Sequence, residues 1–326
     1  MQPFSAHFAS VGSARELLDD PRILAFIEFG DGAREAGRDP RRIAVGLSQL
    51  GPSPLVEVWK SATPVVSGTC GPMSYSYNEQ VLLGHICVDE RDYSGLEEAT
   101  AAAYESILPL APGMGFRHYL RIWNYVPDIN GEEDGVERYK RFCSGRHMAQ
   151  KKFAFPEHGL PAASGVGSLS DEILIYFLAA RDAGVQVENP RQVSAFHYPP
   201  QYGPKSPAFS RAMVKAWDTG KHLYISGTAS IIGHESQHGD NLLPQLTESL
   251  RNMSTLVKSA KTEHGVDIHT LAELSQIKVY VRDGQDHGAI RSHIDERLGG
   301  GVPAIYLGGD LCRKNLLVEV EGLYAG

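Results

Sequence analysis

The hydrophobic and polar positions in the last third of the chain follow a pattern that recurs upstream. The pattern predicts a strand at residues 225–231, an amphipathic helix at 241–260 and a second strand at 277–283. After a further helix, two closing strands follow within residues 302–323. A weaker copy occupies residues 81–89, 97–110, 121–128 and 160–181. Self-similarity on this scale predicts two copies of one α+β module in one chain. Function is then expected where the two copies differ.

Two segments show these periods most clearly. Apolar residues recur at the spacing of a helix with one buried face, at Leu242, Leu246, Leu250, Met253 and Leu256. Between residues 277 and 281, apolar positions alternate with Lys278 and Tyr280. This alternation predicts a half-buried strand.

The remaining segments are less regular. Residues 14–36 have helical periodicity broken by Pro21 and Gly30, residues 40–60 predict strands, and residues 61–80 predict a long loop. The aromatic and proline-rich segment 185–220 predicts a structured loop that lines a site. We therefore divide the chain into an N-terminal domain, residues 1–184, and a C-terminal domain, residues 185–326, whose site-lining loop is 189–212.

Composition narrows the classes of partner. A length of 326 residues suits two domains, and a net charge of −8 argues against nucleic acid or an anionic membrane surface as a partner. No segment has the roughly 20 consecutive apolar residues of a membrane span. The four cysteines, Cys70, Cys87, Cys143 and Cys312, show no CxxC spacing, so a zinc ribbon is not indicated and a cytoplasmic location is expected.

Residues 234–238, HESQH, match the zincin pattern H-E-x-x-H. Zinc binding by that pattern requires a helix, because only a helix places the two histidines on one face. Here the five residues follow a β-rich segment that ends at Gly233, and the helix begins only after Gly239 and Asp240. A polar turn without metal is the favoured interpretation, and a zinc hydrolase is the alternative.

Longer stretches resemble known families. Residues 223–231, 279–283 and 303–323 resemble the reactive-intermediate deaminase (YjgF/RidA) family, which forms α/β sandwiches similar to chorismate mutase. Most of residues 50–326 resembles a narrower group, the chorismatases, also called pteridine-dependent deoxygenase-like proteins. Four stretches carry this second resemblance: residues 119–130, 138–150, 189–212 and 225–235. The resemblance implies an α+β fold with two such sandwich modules in one chain.

The chorismatase resemblance also implies an activity. Members cleave chorismate, a dicarboxylate with an enolpyruvyl ether, into pyruvate and a ring product. The ring product is a dihydrodiol dienoate, 3-hydroxybenzoate, or a mixture of 3- and 4-hydroxybenzoate. Cleavage of an enol ether begins with protonation of its terminal carbon, which is slow in water, so a positioned carboxylic acid is required.

Glu319 is the predicted acid. It lies in the closing strand at the position of the first strand glutamate of the deaminase relatives, and an ungapped alignment of the copies places Phe177 opposite it. A carboxylate needed only for structure would not be expected in one copy alone. Glu321 is the alternative, because alternating strand residues put it on the same face. A protonated acid would require an apolar site that raises its pKa.

Two positions are expected to shape the product. In the resembling family, a cysteine at the position of Cys312 accompanies formation of 3-hydroxybenzoate, and glycine at position 227 replaces an alanine of the hydrolytic subgroup. Cys312 and Gly227 therefore predict an aromatic product. The structural alternatives are a small buried hydrophobic residue for Cys312 and a close backbone approach for Gly227.

A dicarboxylate substrate needs cations and hydroxyl donors, and arginine matches a carboxylate bidentately. The family-like context selects as substrate-binding candidates Arg146, Tyr198, Tyr202, Lys205, Arg211 and Arg291. The deaminase family has its substrate arginine directly after a Pro-Ala pair, where this chain has Ile305. Imine deamination is therefore not predicted.

The sequence thus predicts a chorismate-cleaving lyase that forms 3-hydroxybenzoate, with 4-hydroxybenzoate as a second product to consider. The alternatives are a chorismate hydrolase that forms the dienediol and a RidA-like protein that binds a small metabolite without catalysis. The small molecule chorismate is the expected partner, and no cofactor is implied. The resemblance leaves open whether the protein is a homotrimer or a monomer.

Overall fold

The structure is a computed structural model, and it describes residues 2–30 and 39–326. The N-terminal part contains a short helix and five strands: β1 (Phe4–Ser10), α1 (Val11–Ala14), β2 (Ile23–Phe29), β3 (Arg42–Val45), β4 (Ser48–Leu50) and β5 (Leu55–Ser61). Four of these strands form a sheet in the order β1-β5-β2-β3. The helix predicted over residues 14–36 is wrong for Ile23–Phe29, whose apolar run is a buried strand, and residues 31–36 lie outside the described residues.

The first module, residues 66–180, contains the upstream copy. Its elements are β6 (Val66–Cys70), β7 (Met73–Tyr77), β8 (Val81–Asp89), α2 (Leu96–Gly113), β9 (His118–Pro127), β10 (Glu132–Glu133), β11 (Val136–Glu137), α3 (Arg138–Lys152), β12 (Ala162–Ser168) and β13 (Glu172–Ala180). The predicted loop over residues 61–80 is wrong, because β6 and β7 form a hairpin that extends the sheet. The four elements of the upstream copy are confirmed to within a few residues at their ends.

The second module, residues 185–325, contains the downstream copy. Its elements are β14 (Val185–Val187), β15 (Ala212–Trp217), β16 (Gly220–Ala229), β17 (Ile231–Ile232), β18 (Glu235–Ser236), α4 (Leu242–His264), β19 (Gln276–Val281), α5 (His287–Leu298), β20 (Ala304–Gly308), β21 (Asp310–Leu311) and β22 (Val318–Ala325). Helix α4 ends at Gly265, which adopts the left-handed conformation that glycine accepts without a Cβ penalty. Between β14 and β15 the chain forms an irregular loop with two single-turn 3₁₀ helices, Ala195–His197 and Pro200–Tyr202, which agrees with the structured loop predicted over residues 189–212.

Each module contributes a seven-stranded sheet. The strand orders are β21-β12-β9-β13-β8-β7-β6 and β14-β15-β16-β22-β19-β20-β4. One edge strand of each sheet comes from outside its module, since β21 pairs with β12 and β4 pairs with β20. The division at residues 184 and 185 separates the other strands of the two sheets, and it stays a prediction as a domain boundary.

The two sheets face each other across a central core. Residues of both sheets meet there, including Trp123 and Tyr176 from the first module and Tyr224 and Leu323 from the second. Helix α2 covers the opposite face of the first sheet, and α4 and α5 cover that of the second. Strand β19 is therefore buried on both faces, and the prediction of a half-buried strand is wrong. Lys278 and Tyr280 point into the central core instead of into solvent.

Candidate active site

A cavity of about 510 Å3 opens between the two sheets. Side chains of both modules line it, as does the loop between β14 and β15. The lining includes Tyr139, Arg146, Ser164, Tyr198, Tyr202, Arg211, Gly227, Cys312, Arg313 and Glu319. Its size is that of a small-molecule site.

Glu319 is a buried carboxyl group at the wall of this cavity. Strand β22 places it between Tyr280 of β19 and Ala229 of β16, and the residue is 4% exposed. No hydrogen bond or ion pair of the described residues involves its carboxyl oxygens. Burial, followed by the nearby charge of Glu321, raises the pKa of Glu319 from 4.5 to about 8, although Arg121 and Arg211 act against the shift. Glu319 is therefore a protonated acid near neutral pH.

Glu321 lies two residues further along the same strand face and has the opposite character. Arg121 donates to one of its oxygens at 2.7 Å, Ser164 donates to the same oxygen at 2.6 Å, and the Trp123 indole donates to the other at 2.7 Å. Burial alone would raise its pKa, but Arg121, Lys278 and these hydrogen bonds hold the pKa below the ordinary glutamate value. The geometry thus favours Glu319 over Glu321 as proton donor.

The alignment of Glu319 with Phe177 stays a prediction, and the strand pairings indicate Leu174 as the residue at the corresponding place on the core side of the first sheet. Glu319 pairs with Tyr280 and Leu174 pairs with Tyr125, while the Tyr125 and Tyr280 hydroxyls lie 3.1 Å apart across the core. Phe177 faces helix α2 on the other side of its sheet. Leu174 is also apolar and buried. The carboxylate therefore still occurs in the second module only.

Gly227 makes room for the Glu319 carboxyl group. It lies where the pairing of β16 with β22 is irregular, and its N–H donates to the Ser164 hydroxyl at 3.0 Å. A Cβ atom at position 227 would overlap the Glu319 carboxylate. A close approach to the acid thus accounts for this glycine, and a role in the ring pose stays a prediction.

Cys312 is a partly buried thiol at the same cavity. It follows β21, the two-residue strand that joins the sheet of the first module. Burial and the nearby Glu319 raise the pKa of Cys312 to about 12. The group therefore faces the cavity as a neutral thiol rather than as a thiolate nucleophile.

Arg146 brings an unpaired cation to the cavity from helix α3. It is 3% exposed, lies over the Phe142 ring at 5.1 Å, and its polar neighbours are the Cys143 sulfur at 3.9 Å and the Tyr104 hydroxyl. Its Nε has no hydrogen-bond partner. No carboxylate of the described residues forms an ion pair with it. A buried guanidinium in this state suits an anionic ligand.

Arg211 is a second buried cation, at the end of loop 189–212. One nitrogen donates to the Val193 carbonyl and to the Tyr198 hydroxyl, each at 2.8 Å. Its Nε is also unsatisfied, and within the described residues it has no ion pair. Tyr198 therefore positions Arg211, which is a use of this tyrosine that the sequence did not reveal.

Arg313 is a third cavity-lining arginine, and the sequence analysis missed it. Its guanidinium stacks over the Tyr202 ring at 4.2 Å and donates to the His234 carbonyl and the Ser236 hydroxyl, each at 3.0 Å. The Tyr202 hydroxyl in turn lies 3.1 Å from Nδ1 of His234. The signal in the sequence was its position directly after Cys312.

Ser164 and Tyr139 also line the cavity and were not predicted. Ser164 lies on β12 within a sequence rich in small residues, which carries no sign of its contacts. Tyr139 lies on α3, and burial together with its neighbours, among them Arg146, Cys312 and Glu319, raises the pKa of its hydroxyl. Only the packing of the two sheets brings these residues to Glu319.

Two predicted binding residues lie elsewhere. Arg291 is on α5, has an exposed side chain and approaches Asp295 at 3.7 Å, so its placement at the cavity is not supported within one chain. Lys205 is exposed on loop 189–212 near His147 and does not line the cavity. The remaining predicted residues, Arg146, Tyr198, Tyr202, Arg211, Gly227, Cys312 and Glu319, all line it.

The HESQH segment is a hairpin turn, as predicted. Strands β17 and β18 pair around Gly233, and His238 has a positive φ of 57°. The two histidines therefore do not share a helical face. Among residues 2–30 and 39–326, no cluster of three His, Cys, Asp or Glu side chains is arranged to hold a metal ion.

Comparisons with known proteins agree with this geometry. The family model "Chorismatase FkbO/Hyg5-like, N-terminal" matches residues 57–179. A 3-hydroxybenzoate synthase of Streptomyces hygroscopicus is 37% identical over 279 residues, covering 83% of this chain and 81% of that protein. A chorismatase of the same organism is 34% identical over 325 residues, covering 98% of this chain and 93% of the relative.

The structural comparison is equally extensive. The crystal structure of a chorismatase matches with a TM-score of 0.91 at 33% identity, covering 99% of both chains. This match confirms the predicted α+β fold. The chain therefore belongs to the chorismatase family.

Proposed function

We propose that the protein cleaves chorismate to pyruvate and 3-hydroxybenzoate. The observation that carries the proposal is the Glu319 carboxyl group, which is buried, lacks a partner among the described residues and has a pKa of about 8. The relatives named chorismatase and 3-hydroxybenzoate synthase support the substrate and the product.

Glu319 protonates the terminal methylene carbon of the enolpyruvyl group. This step produces an oxocarbenium ion, in which the bond from the ether oxygen to the ring can break. The two products together contain the same atoms as chorismate, so the overall reaction needs no oxidant and no net water. Loss of a ring proton during aromatisation balances the proton that Glu319 supplies. General acid catalysis of this kind typically contributes about 10²–10⁴-fold in rate.

The arginines suit the two carboxylates of the substrate. Arg146 and Arg211 reach the cavity from different modules, and each has an unsatisfied Nε. Arg313 adds a third guanidinium, held over Tyr202. We assign the carboxylates to Arg146 and Arg211, because each has a buried Nε without a hydrogen-bond partner, whereas Arg313 has no such atom among its buried nitrogens.

The test is incubation of the purified protein with chorismate, followed by chromatographic separation of pyruvate, 3-hydroxybenzoate, 4-hydroxybenzoate and the dienediol. We expect pyruvate and 3-hydroxybenzoate in equal amounts. Pyruvate with the dienediol alone would indicate the hydrolase instead. Binding of chorismate without pyruvate release would indicate a non-catalytic metabolite-binding protein.

The cytoplasm is the proposed location. Cys70, Cys87, Cys143 and Cys312 are free thiols, as expected in a reducing compartment. Among the described residues, no helix combines the length and the apolar composition needed to cross a membrane.

A further inference from the structure

A network of buried charged groups lies between the two sheets, next to the cavity but outside it. Glu57 of β5 pairs with Lys278 of β19 at 2.7 Å, and Lys278 approaches Glu321 at 3.3 Å. Arg121 of β9 completes the network through its ion pair with Glu321. Each of these residues is at most 4% exposed. Two cations therefore converge on Glu321, whereas neither has an ion pair with Glu319.

Ser164 takes part in this network and makes no hydrogen bond to Glu319. Its hydroxyl accepts from Arg121 at 2.6 Å and from the Gly227 N–H at 3.0 Å. It donates its only proton to Glu321 at 2.6 Å. A hydroxyl has one donor and two acceptor positions, so all three are in use. Ser164 lines the cavity beside Glu319 but has no proton to offer it.

We propose that Glu321 is a positioning residue for the reaction: it holds Arg121, Ser164 and Lys278 away from Glu319, which leaves the acid unpaired and able to keep its proton. The inference rests on the proposed function and extends it to a residue that does not line the cavity. Glu321 does not touch the substrate. It acts through the groups that would otherwise bind and ionise Glu319.

Removing the charge at position 321 should act on Glu319 in one direction. Without its counterion, Arg121 is free to pair with Glu319, and the repulsion between the two carboxylates is lost. Both changes favour the ionised form of Glu319. The groups that face this pair from the surrounding elements are Glu57, Arg121, Tyr125, Tyr139, Tyr176, Arg211, Lys278, Tyr280 and Cys312.

The experiment compares Glu321→Gln with wild type in the pH profile of kcat/KM for chorismate. In wild type, kcat/KM should fall at high pH as Glu319 loses its proton, and we call this fall the alkaline limb. In Glu321→Gln we expect the alkaline limb to move to lower pH by about one unit or more, with KM little changed. Glu321→Asp keeps the charge and should restore the limb. Glu248→Gln is the matched control, because Glu248 is a buried carboxylate paired with Arg191 away from the cavity. It should lower the melting temperature without moving the limb.

A second variant and a second measurement guard against misfolding of Glu321→Gln. Arg121→Gln removes a cation that favours ionised Glu319, so its alkaline limb should move to higher pH. Infrared spectroscopy at about pH 7 should show a protonated carboxylic acid that is lost in Glu319→Gln. This band should fall to about half or less in Glu321→Gln, because a pKa lowered by one unit from about 8 leaves at most about half of Glu319 protonated at pH 7.

The alkaline limbs of Glu321→Gln and Arg121→Gln could stay where they are in wild type, with the infrared band unchanged and only the stability lowered. Glu321 would then be a structural residue only, and the inference would be overturned. The infrared measurement needs no substrate. If wild type released no pyruvate from chorismate, the proposed function would fail, while the band would still decide the role of Glu321.

Discussion

The two modules use equivalent positions at the centre of the molecule in different ways. In the first, Trp123 and Tyr176 stack at 4.5 Å, and Leu174 fills the place next to them. In the second, the strand pairings put Lys278, Glu321 and Glu319 at the same three places. A set of aromatic and apolar residues on one sheet thus faces a set of ionisable residues on the other.

This difference shows how a duplicated fold can support a protonated acid. The aromatic residues of the first module shield the second from water, and Trp123 also donates to Glu321. Burial between two sheets raises the pKa of Glu319, while the nearby cations are occupied by Glu321. A single module with one face in water could not exclude solvent in this way.

The largest expected effect comes from removing the acid that only the second module has. Glu319→Gln keeps the shape of the side chain but cannot deliver a proton, so kcat for pyruvate release should fall about 10²–10⁴-fold. The melting temperature should not fall, which serves as the folding control. A variant that kept more than about a tenth of the wild-type rate would move the proton donor to another group.

A smaller loss is expected from Gly227→Ala. The added methyl group would overlap the Glu319 carboxyl group and displace it from the cavity wall. Misplacement of a catalytic group by about 1 Å can cost up to roughly 100-fold, so we expect pyruvate release to slow by about 10- to 100-fold. An unchanged rate with an altered ring product would instead restore the predicted role of Gly227 in the ring pose.

The two modules should contribute comparably to substrate binding. Arg146→Gln tests the first module and Arg211→Gln the second, and each should raise KM for chorismate roughly 10- to 100-fold, because a charge-assisted hydrogen bond is lost. Arg291→Gln is the matched control and should leave KM unchanged, since this side chain is exposed on α5. A raised KM in Arg291→Gln would place α5 of another subunit at the cavity and favour the homotrimer over the monomer.

Much of this arrangement could be predicted from local pattern. The helix α4, the strands of both copies and the turn at HESQH follow from periodicity and from glycine positions. Glu319 was predicted from its position in the resembling family and from the comparison of the copies, in which it aligned with Phe177. In the structure Phe177 faces helix α2 and Glu319 faces the cavity between the sheets, a difference that the alternation of strand residues allows but that periodicity alone does not reveal.

Other features depend on contacts that no local pattern contains. Lys278 alternates with apolar residues as a solvent-facing residue would, yet Glu57, more than 200 residues away, pairs with it in the core. Ser164 and Arg313 reach the cavity only because the two sheets pack together. Arg291 carries the same charge as Arg146 and Arg211, and sequence alone could not show that α5 faces solvent.

The pH dependence of stability should reveal the cost of the buried acid in the second module. In the folded chain Glu319 keeps its proton up to pH about 8, whereas the unfolded chain releases it near pH 4.5. The free energy of unfolding of wild type minus that of Glu319→Gln should therefore be constant below about pH 4.5. This difference should fall between about pH 4.5 and about pH 8. The fall should reach up to about 5 kcal/mol. Urea unfolding of both proteins across this range measures it, and parallel curves would contradict the raised pKa.

The smallest effect on rate is expected at Cys312. Substitution of this residue is also the most sensitive test of how the two modules differ. This thiol belongs to the second module but is placed by β21 on the sheet of the first, so its position depends on both. Protonation by Glu319 cleaves the ether, whereas the fate of the ring depends on which neighbouring group reaches the electron-poor carbon first.

Because these two steps use different groups, Cys312→Ala should keep pyruvate release within about a factor of ten of wild type, as Glu319 still supplies the proton. The share of 3-hydroxybenzoate should fall, with material diverted to the dienediol or to 4-hydroxybenzoate. Cys143→Ala is the control thiol, because Cys143 is buried on α3 and does not line the cavity. An unchanged product ratio in Cys312→Ala would make this cysteine a packing residue and leave product choice to the shape of the cavity.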